Sequence, residues 1–364
     1  MTVSIYIPGV SAEVKNGPGR QQGAYPLNQW YVAAHSKELT DTPVGRTLLN
    51  EAIVLFRKGN GQVAAVEDRC CHRHLPLSAG TVEENGIRCG YHGMLYDDSG
   101  RCIDIPGQDK IPRRAKIHSY HIREQNKLVW IWFGQQQDSE PTCEPPAYPI
   151  HDDPRYVSDG DVYHYNAPYQ LIHDNLLDLS HLGYVHLRTI GGNAKLHMNA
   201  RMDVESEGTS VRVVRHMPAS EPPPTYTAAY PFKGLIDRWQ EIVFHPSHLE
   251  IWTGAVDQNS EDVNNPERGG FHMRGFHGIT PETSTSCHYF WSMATNPSQN
   301  IEATKAKVIE QTALTFDEDK VVIEAQYENM KRFVGEAMID IHVDVGPNRA
   351  RRIIEQLKTE ASAG

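Results

Sequence analysis

Two short stretches constrain this chain more than anything else in its 364 residues. One reads Cys70-Cys71-His72-Arg73-His74-Leu75-Pro76-Leu77-Ser78-Ala79-Gly80, the other Cys89-Gly90-Tyr91-His92-Gly93. Each offers one Cys and one His, as C-x-H and C-x-x-H. At neighbouring hairpin tips the two could pinch one metal centre. Two thiolates would hold one iron and two neutral imidazoles the other, in a [2Fe–2S] cluster. A structural zinc could use the same four ligands, yet zinc sites usually pair Cys with Cys and His with His in each loop. Successive residues of an extended segment point to opposite sides. Cys70 can therefore share a side with His72 and is read as the ligand, with Cys71 assigned to packing. His74 is left out of the set.

The rest of the chain divides in two. From Asn28 to about Phe133 the runs are short and strand-like (NQWYVAAH, AIVLFRK, QVAAVED, LVWIWF), and Gly59-Asn60-Gly61 supplies a hairpin turn. The polar, proline-rich stretch from Gly134 to Pro149 reads as a boundary. Beyond it a helical stretch is expected from about Pro168 to His181, then strand-like pieces, then helices from about Glu302 to Val334 and from about Asn348 to Glu360. The expected class is α+β. An arm at 1–27 precedes an all-β domain at 28–135. A linker at 136–150 then leads to a larger domain at 151–364, with an antiparallel sheet flanked by helices.

Composition excludes several functions. With 35 basic and 46 acidic side chains the formal charge is −11, and no dense Lys/Arg block exists, so nucleic acid and anionic lipid are poor partners. No run approaches the roughly 20 apolar residues of a membrane-spanning helix. The N-terminus lacks the pattern of a secretory signal. A cytoplasmic, reducing setting is expected, where thiols serve as ligands rather than disulfides.

A second constellation is Asn175-Leu-Leu-Asp178-Leu-Ser-His181-Leu-Gly-Tyr-Val-His186. Asn175, Asp178 and His181 are three apart and would run down one helix face. His186 falls about 140° out of phase with His181 on an ideal helix. For both imidazoles to meet one metal the helix must end or bulge, and Gly183 is placed to allow that. A facial triad then needs one carboxylate. In the later helix Ile309, Thr312, Phe316, Ile323, Tyr327, Met330 and Val334 form an apolar stripe, and Asp319 falls within it. Asp317 and Glu318 are out of phase and are expected to face solvent. A carboxylate on a core-facing stripe needs a neutraliser, and a metal is the simplest one. A local pair with Lys320 is the plainer alternative.

These residues resemble a family. C-x-H-R-x-x-P-L-S-x-G followed by C-x-Y-H-G looks like the Rieske signature of aromatic-ring-oxygenase large subunits. N-x-x-D-x-x-H-x4-H and F-x-E-D-K look like the iron segments of the vanillate and dicamba demethylase branch. The resemblance runs from about Gln29 to Leu357 and is loose between His186 and His277. It implies a Rieske domain holding the [2Fe–2S] cluster through Cys70, His72, Cys89 and His92. It also implies a catalytic domain holding Fe(II) through His181, His186 and Asp319.

By the same resemblance Asn175 and Asp178 belong to the catalytic apparatus, and the chains form a ring, usually a trimer. In that ring His92 of one subunit would bond to Asp178 of the next, which in turn contacts His181. The implied reaction is O-demethylation or hydroxylation of an aromatic acid with O2. Electrons would come from a separate flavin- or ferredoxin-type reductase that uses NAD(P)H, since this chain has no nucleotide fingerprint. Two alternatives stay open. One is cis-dihydroxylation of an aromatic carboxylate such as a phthalate isomer or chlorobenzoate. The other is a Rieske electron-transfer protein without catalysis. His277 matches a pocket histidine of the dicamba branch and is a candidate partner for a substrate carboxylate. Arg274 is a weaker candidate for the same task.

Overall fold

The computed structural model describes residues 24–363 except 138, 188 and 297–300. Most of the expected N-terminal arm therefore lies outside the described residues. Its end does not: Tyr25 and Leu27 are buried in the main core.

Among the described residues, ten short strands build the first domain. They are β1 (Gln29–His35), β2 (Val44–Leu48), β3 (Glu51–Arg57), β4 (Val63–Glu67), β5 (Thr81–Glu83), β6 (Gly86–Arg88), β7 (Leu95–Tyr96), β8 (Cys102–Asp104), β9 (Ile122–Gln125) and β10 (Leu128–Phe133). They form three antiparallel sheets, ordered β1-β10-β9, β2-β3-β4 and β5-β6-β7-β8. The second domain starts with β11 (Val157–Tyr165), then α1 (Tyr169–Leu177), α2 (Leu182–Val185) and α3 (Ala194–Met198). Next come β12 (Arg201–Glu207), β13 (Ser210–Ser220), α4 (Pro224–Ala229), β14 (Ile236–His245), β15 (His248–Asp257), β16 (Phe271–Thr283) and β17 (Ser286–Thr295). The long helices α5 (Ile301–Arg332) and α6 (Val345–Ala363) close the chain. All its strands join one antiparallel sheet in the order β11-β17-β16-β15-β14-β13-β12.

The run LVWIWF is apolar at every position because β10 is buried on both faces. Val129, Ile131 and Phe133 point into the main core, while Leu128, Trp130 and Trp132 point the other way. The second set meets Phe276 and Phe290 of the large sheet. The period of two along a strand thus makes β1-β10 a plate lying on that sheet. On the sheet's opposite face Phe316 of α5 packs edge-on against His277, Tyr289 and Trp291. The large sheet therefore lies between the first domain and the helices.

Two helix expectations need correction. The helix from Pro168 does not continue to His181: α1 stops at Leu177, and Asp178 is extended at φ −116° and ψ 92°. A single 3-10 turn, Leu179–His181, then leads into α2. The break is therefore at Asp178, so Asn175, Asp178 and His181 do not share one helix. Gly183 stays helical. A Cβ there would lie 2.1 Å from the Ala194 Cα, so the glycine serves the close approach of α2 and α3. At the far end α5 stops at Arg332, and Val334 is solvent-exposed rather than part of the apolar stripe.

Candidate metal centres

The segment between β4 and β5 carries Cys70 and His72, and the turn from β6 to β7 carries Cys89 and His92. Both loops are tightened by their own backbones. The Cys70 N–H donates to the Leu75 carbonyl and the Cys89 N–H to the Met94 carbonyl, each at 2.9 Å. Cys70 and Cys89 are buried at the base, whereas His72 and His92 are exposed at the tips with ring centres 4.6 Å apart. Burial, with Cys70 alongside, pushes the Cys89 thiol up. Two adjacent buried sulfurs beneath two exposed imidazoles suit a cluster with one thiolate-held and one imidazole-held iron. Cys71 is half-buried, and its sulfur, like that of Cys70, lies 3.2 Å from the Tyr96 hydroxyl.

The second centre forms where the α1–α2 break faces α5. Leaving the helix frees the Asp178 carbonyl, which accepts from His181 Nδ1 at 2.6 Å, while its carboxylate caps the Ser180 N–H at 2.9 Å. His186, at the end of α2, directs Nδ1 to Glu318 Oε2 at 2.8 Å. With both Nδ1 atoms donating, each Nε2 presents a lone pair. These face Asp319 Oδ1 at 3.4 Å from His181 and 3.1 Å from His186. Lone pairs meeting a carboxylate at that distance call for a positive charge between them, a ring proton or a metal ion, and the three donors lie within 4.8 Å of one another. Burial alone would raise the Asp319 carboxyl, but the His181 and His186 imidazoles beside it outweigh that and hold it at about 2, so it is a carboxylate. The donor set of two imidazoles and one carboxylate fits ferrous iron with open positions.

Asn175 donates to the same Asp319 oxygen at 3.0 Å. Asp319 does not pair with Lys320, whose ammonium lies over the Tyr165 ring instead. Asp317 is exposed, as its phase on α5 suggested, but Glu318 is not a bystander. Its side chain is long enough to reach His186 from a position that is out of phase with the stripe.

Above the three donors lies a largely apolar cavity between α1, α5 and the inner face of the sheet, with Leu176, Ile251, Met293 and Phe316 among its walls. Thr312 and Thr315 also line it, and each turns its hydroxyl back to a helix carbonyl, Val308 at 2.7 Å and Gln311 at 2.8 Å. His277 is in the wall and fully buried. Its Nδ1 lies 2.6 Å from the Tyr289 hydroxyl, and its Nε2 has no hydrogen-bond partner among the described residues. Burial pushes this imidazole down to about 3, so it is neutral. Arg274 is not in the cavity: β16 alternates, and the guanidinium stacks on Trp252, 3.4 Å from the ring centre. The arginine that does line the cavity is Arg238 of β14, beside Gln240. No local motif marks either one.

Comparison with known proteins agrees with this geometry. Residues 29–120 match the family Rieske [2Fe-2S] domain, and residues 165–360 match the family Vanillate O-demethylase oxygenase C-terminal domain. The vanillate O-demethylase oxygenase subunit of a Pseudomonas species is 35% identical, over 92% of this chain and 95% of its own. The toluene-4-sulfonate monooxygenase system iron–sulfur subunit of Comamonas testosteroni is 34% identical, over 93% and 98%. The crystal structure of dicamba monooxygenase bound to dicamba superposes with a TM-score of 0.85 at 29% identity, covering 93% of this chain and 99% of that one. No helix among the described residues is long and apolar enough to cross a membrane. The chain belongs to the vanillate O-demethylase branch of the Rieske non-haem iron oxygenases, and is the oxygenase component of such a system.

Proposed function

We propose that this oxygenase oxidises a methyl or methoxy carbon of an aromatic acid in the cavity over His181, His186 and Asp319. The observation that carries the reading is the convergence of those three donors beneath walls that are otherwise mostly apolar. Iron held by these three residues would supply O2 activation, and a cluster held by Cys70, His72, Cys89 and His92 would supply single electrons.

The chain's own groups have defined tasks. The Asp178 carbonyl and the Glu318 carboxylate fix the tautomers of His181 and His186, so that both Nε2 lone pairs point inward. Asn175 holds the Asp319 carboxylate in its rotamer. The apolar walls exclude water, and neutral His277 offers one nitrogen to a polar substituent of the substrate. The names of the relatives, a demethylase and monooxygenases, support this chemistry over ring cis-dihydroxylation.

Electron delivery between subunits completes the reading. His92 and Tyr91 are exposed on one loop, and Tyr184 and Leu187, six and nine residues after Asp178 in the chain, are exposed as well. These surfaces support a ring of subunits, a trimer, in which His92 of one chain meets Asp178 of the next. A separate flavin- or ferredoxin-type reductase would feed the cluster.

The test supplies metal-loaded protein with a generic Rieske reductase, NADH and a panel of methoxy- and methyl-substituted benzoates and benzenesulfonates, and measures O2 uptake, formaldehyde and benzylic alcohol. One formaldehyde per O2 from a methoxy acid, or one benzylic alcohol per O2 from a methyl acid, is expected with at least one of them. Diol products without formaldehyde, or no turnover while both centres are loaded, would overturn the proposal.

A further inference from the structure

Arg238 is a buried guanidinium with no acid to answer it. It is 4% exposed, and among the described residues no carboxylate pairs with it. Its Nη atoms donate to two backbone carbonyls of the segment after His186, Ile190 at 3.1 Å and Gly191 at 3.3 Å, and it lies over the Tyr226 ring. Guanidinium has five N–H donors. The buried Nε–H has no partner among the described residues. An ionised group left this way is costly unless an anion arrives.

Its neighbours are donors as well. Gln240 spends its carbonyl on Arg215 Nη1 at 2.8 Å, which leaves its NH2 as the group turned elsewhere. The Tyr226 and Thr253 hydroxyls, 2.6 Å apart, share one hydrogen bond and keep one proton to give. Arg215 is also buried and adds positive charge behind Gln240. Among the described residues the single acid lining the cavity is Asp319, and it already faces both imidazoles.

We propose that Arg238, helped by Gln240 and the Tyr226–Thr253 hydroxyl pair, anchors the oxyanion of the substrate, a carboxylate or a sulfonate. This deepens the aromatic-acid reading above and rests on it. It also places the anion away from His277. In the sheet Arg238 pairs with Ala255, and His277 pairs with Leu249. Those two positions are roughly 20 Å apart along β15. One small oxyanion is not shared between them, and the neutral imidazole is left for an uncharged substituent.

The experiment measures dissociation constants on the metal-loaded enzyme by calorimetry. The probes are 4-methoxybenzoate, toluene-4-sulfonate and the uncharged 4-methoxybenzamide. Wild type should bind at least one anion about tenfold or more tightly than the amide, as a charge-assisted hydrogen bond supplies. Arg238→Gln should bring that ratio close to one with little change for the amide, and Arg238→Lys should keep part of it. A purely structural arginine would weaken all probes together and leave the ratio intact. The two anions distinguish a carboxylate site from a sulfonate site. Should Arg238→Gln fail to fold, the ratio in Arg238→Lys decides.

Anion preference that survives both substitutions overturns the proposal, as does its absence in wild type. The aromatic-acid reading fails separately: wild type would then release no product from any acid, whatever Arg238 does to the binding ratio.

Discussion

His186 Nδ1 and Glu318 Oε2 are 2.8 Å apart, so the residue next to Asp319 on α5 holds the imidazole that Asp319 faces. One helix turn therefore provides both a candidate iron ligand and the group that aims another. Burial would lower the His186 imidazole, but the Asp319 and Glu318 carboxylates beside it outweigh that and raise it. Replacing Glu318 by Ala removes the acceptor without emptying the ligand set. Iron affinity should fall roughly 10- to 100-fold, the usual loss when such a partner goes. Iron titration monitored by metal analysis checks this, with cluster absorbance unchanged as the control.

Asp178 has two separable roles. Its carbonyl orients His181, and its carboxylate caps Ser180. Asp178→Asn keeps the carbonyl, and the amide oxygen still accepts from Ser180. Iron and cluster contents should therefore match wild type. If the carboxylate also receives His92 of a neighbouring subunit, turnover should drop by roughly 100-fold. Stopped-flow oxidation of the reduced cluster separates the two roles, and an unchanged rate would remove the inter-subunit role.

Gly183→Ala tests the packing of the His-bearing segment. The added methyl would collide with the Ala194 backbone, which cannot yield as a flexible side chain would. Displacing α2 moves His186 while leaving the Rieske loops untouched. The variant should purify coloured but with iron missing from the second centre, as read from the iron-to-sulfide ratio.

His173 on α1 has both ring nitrogens buried without partners among the described residues and packs between Tyr169 and Phe244. Burial pushes it from 6.5 to about 3. The unfolded chain thus binds a proton that the folded chain refuses between those two values, so stability falls as pH drops through that window. The cost accrues at up to about 1.4 kcal/mol per pH unit. His173→Phe removes it. The apparent Tm of the variant should decline less steeply than that of wild type between pH 7 and 5 in thermal scans.

The parts of the site written in local spacing were legible in the sequence. Cys70, His72, Cys89 and His92 occupy two short loops whose backbone bonds close within a few residues, so spacing alone brings each pair together. Asp319 was legible because α5 is regular and phase decides burial. Glu318 was missed for the complementary reason: phase locates a Cβ, not the end of a long side chain. The break at Asp178 was misplaced to Gly183 because a glycine is the more conspicuous interrupter. An aspartate can leave a helix equally well when its side chain caps the next turn. Arg238 and Gln240 had no signal at all, since strand alternation names two faces and only the packed sheet shows which one borders the iron side.

Every described residue lining the cavity lies between Asn175 and Asp319. The first domain rests on the other side of the large sheet and contributes none of them. Substitutions that retune the choice of molecule to be oxidised can therefore accumulate in one half of the chain while the redox half stays as it is. An architecture of this kind lets lineages adopt unfamiliar aromatics without having to relearn how to accept an electron.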